Sequence, residues 1–160
     1  MSADDVMRAS VDNMPVPPFA NPAFTSPPDL TKARVAVVTT AGLMRRGEEA
    51  WTHDDSSFRV FDVDESDIMV GHVSMSFDRA GISADLNVVF PVDRLKELAI
   101  DGVIGSVASK HISFMGALRA PELVSTLIHD SGPAAAKLLR DDGVDIVIIT
   151  PSCPACSRTV

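Results

Sequence analysis

The stretch Val144–Thr150 constrains this chain more than any other. It reads Val-Asp-Ile-Val-Ile-Ile-Thr, largely β-branched and apolar, with no helical period. Such a run predicts a strand buried on both faces, the signature of a parallel sheet. Pro151 ends it, because proline has no N–H to give to a ladder. A dithiol follows at once, Cys153-Pro154-Ala155-Cys156, and these are the only two cysteines in 160 residues. They project from the carboxyl edge of the predicted sheet, where open α/β folds place their chemistry. A pair at this spacing can form a disulfide, hold a metal or supply a thiolate nucleophile.

Upstream segments fit the same architecture. Val35–Thr40 is a short β-branched run leading into Ala41-Gly42-Leu43, a strand and glycine turn that open an α/β unit. Phe58–Val63 alternates and predicts a second strand at an edge, and Ile68–Val73 a third. Pro91–Ala99 has Val92, Leu95, Leu98 and Ala99 at helical spacing, with proline in the first turn and Gly102 just past the end. Pro121 opens another helix through His129, which Pro133–Leu139 continues or restarts. The break at Ser131-Gly132-Pro133 predicts two short helices or one kinked one.

The fold expected is α/β, a three-layer sandwich with a mostly parallel sheet, over residues 31–160 as a single domain. Residues 1–30 are read as an extended proline-rich N-terminal arm. Six of the eleven prolines lie between Pro15 and Pro28, with Phe19 and Phe24 among them. That composition cannot build a core alone. It reads either as a disordered leader or as an arm packing Met14, Phe19 and Phe24 onto a partner or the domain's flank.

Charge and hydropathy exclude several classes. A net charge of -8 argues against general nucleic-acid binding, which needs basic surface to displace counterions. No apolar stretch approaches the roughly 20 residues that span a bilayer. Met1–Asp5 lacks the basic start and apolar core of a secretory signal, so a cytoplasmic location is expected. In that compartment a CxxC is redox-active, catalytic or metal-binding more often than a structural staple. Neither GxGxxG nor a P-loop accompanies Gly42, and GxSxG, HExxH and calcium-loop spacings are absent.

Cys153 is the better nucleophile, being nearest the strand end. His72, after Gly71 at a predicted strand end, and His111, in the loop Ser109–Gly116, are the candidate bases or cations beside a thiolate. His129 suits a helix end and His53 a solvated loop. The acidic clusters 54–55, 62–67 and 141–142 read as solvated loop charge. Cys153, Cys156, His72 and His111 also have the count for zinc or iron, although zinc sequences usually carry a second tight pair. A thiol–disulfide oxidoreductase and a non-catalytic metal-binding or interaction subunit therefore stand beside the nucleophile reading.

Thr150-Pro151-Ser152-Cys153-Pro154-Ala155-Cys156 resembles the signature of the selenoprotein B family of glycine, sarcosine, betaine and D-proline reductases, where selenocysteine commonly holds the first cysteine position. The likeness extends to Asn87–Leu95, Gly102–Gly105, Ser113–Gly116 and Gly143–Asp145, and runs from about Arg34 to the C-terminus. The resemblance implies an oxidoreductase subunit that reductively cleaves a carbon–heteroatom bond of a small-molecule substrate. It puts Cys153 at the selenocysteine position as nucleophile and Cys156 at the neighbouring thiol, to resolve the resulting mixed disulfide or thioether. It also implies a homo- or hetero-oligomer, a thiol electron donor, and a pyruvoyl group on a companion polypeptide that captures the substrate. No cofactor is expected in this chain itself. A cysteine in place of selenium needs local activation to be a thiolate at neutral pH.

Overall fold

The computed structural model describes residues 26–152 except 76, 78 and 119, together with residues 5 and 9. The rest of the arm up to residue 25, and residues 153–160 with Cys153 and Cys156, lie outside the described residues. The fold is mixed α/β around a mostly parallel five-stranded sheet. Its centre is β1 (Arg34–Thr39). One edge of β1 is taken by β7 (Ile146–Thr150), parallel from Val35↔Ile146 to Thr39↔Thr150. The other edge is shared by β5 (Ser106–Val107) and β6 (Lys110–Phe114), both parallel to it. β3 (Phe58–Asp62) closes that side, antiparallel to β6. The predicted edge strand at Phe58 is therefore present.

Successive residues of β1 face opposite sides of the sheet and build two cores. Val35 and Val37 pack with Phe61, Phe90 and Ile104, and with Val92 and Leu95 of α2 (Val92–Ile100). Ala36 packs with Ile112, Phe114, Leu127, and Ala135 and Leu139 of α4 (Gly132–Asp141). Burial of Val35 and Val37 contributes about 1.5–3 kcal/mol each, so β1 is anchored on both of its faces.

The predicted helix break has a specific form. α3 (Pro121–Thr126) runs through a π turn, Leu127–Ser131, into α4. Pro133 brings no N–H to the ladder, and the Gly132 N–H bonds to the Leu127 carbonyl instead. A Cβ on Gly132 would sit 2.6 Å from that oxygen, so glycine permits the wide turn.

Three expectations are corrected. β7 is not buried on both faces: Val147, Ile148 and Ile149 are exposed, because no strand pairs its outer edge among the described residues. Ile68–Val73 is a strand only over β4 (Ile68–Val70), which pairs with β2 (Leu43–Arg45) in a separate antiparallel ribbon. Lys110–Phe114, read as a loop, is the strand β6. One short helix, α1 (Ala80–Ala84), lies between the ribbon and α2. Among the described residues no helix is long and apolar enough to cross a membrane.

Candidate functional site

Parallel pairing brings Ser113 of β6, Thr39 of β1 and Thr150 of β7 into one row at the carboxyl edge. Their hydroxyls, with that of Thr40, hold the chain as it leaves the sheet. Thr39 Oγ1 accepts from the Ala41 N–H at 3.2 Å, and Ser113 Oγ from the Leu43 N–H at 2.8 Å. Thr150 Oγ1 donates to the Val89 carbonyl at 2.7 Å. Beyond β7, the Ser152 N–H donates to Thr40 Oγ1 at 3.1 Å, and Ser152 Oγ donates to the Thr150 carbonyl at 3.3 Å. The residue immediately before Cys153 is thus tied to the end of the central strand.

Loops from both flanks converge on the same edge. The Gly42 N–H donates to the Phe114 carbonyl at 3.0 Å, and the Gly71 N–H to the Gly42 carbonyl at 2.8 Å. Gly42 has φ +59°, and a Cβ there would lie 2.5 Å from Met115 Cε and 3.2 Å from His72 Cα. Only glycine allows the loop carrying His72 to approach so closely. Trp51, 3% exposed, donates its Nε1–H to the Leu43 carbonyl at 2.9 Å, and the Arg59 guanidinium lies 4.1 Å over its ring.

His72 is buried and stacks on Phe77 at 4.2 Å between ring centroids. Its Nδ1 accepts from the Ser74 N–H at 3.1 Å, and Arg79 donates to its carbonyl. Burial, then the positive charge of Arg79, then His53 lower its pKa to about 4. His111 is fully buried two residues below the hydroxyl row. Its Nδ1 accepts from the Val37 N–H at 3.0 Å, filling the ladder position left open between β5 and β6. Its ring meets Phe90 edge to face at 5.6 Å, and Nε2 has no hydrogen-bond partner among the described residues. Burial lowers His111 to about 4, against the opposing pull of Asp142. Both imidazoles are neutral at pH 7, and neither supplies a cation for a thiolate there.

Two residues read as solvated in the sequence have definite partners. His53, half-buried, places Nδ1 3.0 Å from the Ala117 carbonyl. A carbonyl only accepts, so Nδ1 carries a proton and is the donor. Ala117 follows Gly116, whose N–H donates to the Thr40 carbonyl at 3.3 Å, so His53 belongs to the same edge. Asp142 accepts from the Ser109 and Lys110 N–H groups and from Arg34 at 2.8, 3.1 and 2.9 Å. Burial alone would raise its carboxyl, but these bonds and the Ser109 hydroxyl hold it below the usual range. It braces the amino edge, away from the hydroxyl row. Neither role is visible in local sequence, because both partners are more than 30 residues distant.

Among the described residues no group of three or more His, Cys, Asp or Glu could hold a metal ion. His72 and His111 each commit Nδ1 to a backbone amide, while the two cysteines lie outside the described residues. Thr39, Thr40 and Ser113 are fully buried and spend their hydroxyls on the backbone, so the half-buried Thr150, Ser152 and His53 are the polar side chains that reach the surface at this edge.

A family model described as glycine/sarcosine/betaine reductase selenoprotein B matches residues 10–152. Similar proteins include the D-proline reductase subunit gamma of Acetoanaerobium sticklandii, 34% identical over 146 residues, covering 89% of this chain and 57% of that one. The sarcosine reductase complex component B subunit beta of Peptoclostridium acidaminophilum is 30% identical over 152 residues, covering 89% and 32%. The betaine reductase complex component B subunit beta of the same organism is 30% identical over 155 residues, covering 91% and 34%. The chain thus spans little more than half of the first relative and about a third of the other two. No solved structure matches.

Proposed function

Because the chain belongs to the glycine/sarcosine/betaine reductase selenoprotein B family, we propose that it acts within a reductase complex and uses Cys153 to cleave a carbon–heteroatom bond. The relatives are named as subunits of reductase complexes, which supports the wider role. The observation that carries the finer reading is the Ser152 N–H bond to Thr40 Oγ1, which anchors the residue before Cys153 at the carboxyl edge. Helices against both faces of the sheet support a three-layer sandwich as the finished form.

In this reading His53 Nε2 takes the Cys153 thiol proton, and the thiolate attacks the carbon bearing the leaving group. The C–S bond forms as the C–heteroatom bond breaks, and the leaving group departs with the electron pair and gains a proton. Cys156 thiolate then attacks the Cys153 sulfur. An S–S bond forms, the S–C bond breaks, and the carbon takes the electron pair and a proton. The substrate is reduced by two electrons, and a dithiol donor regenerates the cysteines. His72 and His111 act here as positioning residues. This chain supplies no group that would activate that carbon, so a pyruvoyl group on a companion polypeptide is proposed to hold the substrate through its amine.

Intact-mass analysis of Cys153→Ser and Cys156→Ser, incubated with candidate amino-acid substrates and the partner subunits, tests this. Cys153→Ser is expected to be inactive and adduct-free, while Cys156→Ser accumulates a substrate adduct on Cys153. Loss of bound metal and equal destabilisation in both variants, with no adduct, would establish a structural metal site instead.

A further inference from the structure

The outer edge of β7 is apolar, uncharged and open. Val147, Ile148 and Ile149 expose 38, 36 and 48% of their surface, although the β1 residues beside the first two, Ala36 and Val37, are fully buried. Val147 and Ile149 floor an apolar cleft of about 410 Å³ under α4, with Ala135 and Leu139 among its walls. Ile148 faces the opposite side. Among the described residues no strand pairs this edge. From Ile146 to Ser152 there is no charge, in a protein of net charge -8. An unguarded apolar edge is where a further strand adds.

Backbone direction fixes how a strand adds here. The Thr40 N–H donates to the Thr150 carbonyl at 3.2 Å, while the Val37 N–H turns the other way, to His111. Ile146, Ile148 and Thr150 therefore direct their amides and carbonyls at β1, and Val147 and Ile149 direct theirs outward. A second β7, antiparallel and related by a two-fold axis, meets those outward groups in one of three registers. Centring on Val147 sets Asp145 of each copy against Ile149 of the other, a carboxylate against an apolar side chain. Centring on Ile149 sets Val147 against Pro151, which has no N–H to give. Centring on Ile148 sets Val147 of each copy against Ile149 of the other, and each such pair exchanges two N–H···O bonds. Asp145 then falls opposite Pro151, past the paired segment.

The same register covers the apolar side chains. On one face Val147 and Ile149 of the two copies lie side by side and join the two clefts. On the other the two Ile148 side chains meet across the axis, their Cα atoms about 4.5 Å apart as in any non-hydrogen-bonded antiparallel pair. No like charges oppose one another in this pairing, a condition that matters for two copies each carrying -8. A two-fold contact demands a surface complementary to itself. An edge kept for a different polypeptide has no such requirement, yet β7 meets it.

We infer that two copies of this chain pair antiparallel through β7 about an axis at Ile148, making one continuous sheet. Disulfide trapping tests it in the full-length protein carrying Cys153→Ser and Cys156→Ser, so that no native thiol competes. Ile148→Cys is expected to give a covalent dimer on mild oxidation, because its Cα separation lies within disulfide reach. Val147→Cys puts its two sulfurs on diagonal positions about 7–8 Å apart, and is expected to link about tenfold more slowly. Equal rates for the two variants would overturn the register. Sedimentation equilibrium of the parent protein under reducing conditions gives a reading that no substitution can disturb, and a species of twice the chain mass is expected. A parent that stays monomeric at all concentrations, leaving the edge to a companion polypeptide, would overturn the inference. So would open-ended growth beyond the dimer.

Discussion

At the level of single residues, two buried imidazoles tie the fold to pH. His72 and His111 sit at about 4, against about 6.5 for a free histidine. As pH falls, the unfolded chain takes up protons before the native one does. The stability these groups confer is therefore complete above about pH 6.5 and is lost as pH drops toward 4. The size is about 2–3 kcal/mol per group. Urea midpoints at pH 7.5 and 5.0 should fall accordingly, and a midpoint that rises on acidification would contradict this. His111→Leu should reduce that pH dependence. At pH 7.5 it should also cost about 1–3 kcal/mol, since the Val37 N–H loses its acceptor. His53 has a different task. His53→Ala should slow iodoacetamide alkylation of Cys153 several-fold at pH 7 while leaving the melting temperature near that of the parent. Unchanged alkylation would remove His53 from the proposed mechanism.

Individual elements hold together through contacts of very different range. β5 and β6 join at Ser109, where Asp142 gathers two backbone amides, a hydroxyl and Arg34. Asp142→Ala should cost about 2–3 kcal/mol by leaving the Arg34 charge and those donors without their acceptor. Faster hydrogen exchange at the Ser109 and Lys110 amides, with a lower urea midpoint, is the expected readout. Elements defined by local pattern are legible from sequence: Pro91 opening α2, the Pro133 break, and the β-branched run of β7. β6 is not, because Lys110, His111 and Ser113 give it a polar look. Their polarity is satisfied by Asp62, Val37 and Leu43, all distant in sequence. Burial of β7 failed for the converse reason: an apolar run shows that a strand can be covered, while its neighbours decide whether it is. His53 and Asp142 look solvated in the sequence because their partners are set by tertiary contact.

Across the whole molecule, the sheet is closed on one side by antiparallel β3, while among the described residues no strand pairs its other side at β7. The protein is therefore expected to self-associate with rising concentration in sedimentation velocity, and Ile148→Lys should suppress this. A protein that stays monomeric at all concentrations would contradict that expectation. The alignment of Ser113, Thr39 and Thr150 has a wider bearing. Side chains alternate along a strand, so sliding β7 by one residue against β1 would exchange its two faces and carry Ser152 off Thr40. The address of the proposed reactive sulfur is therefore written in the pairing of strands rather than in its own motif. Grafting Thr150–Cys156 onto a foreign loop would transplant the letters of the site without its coordinates.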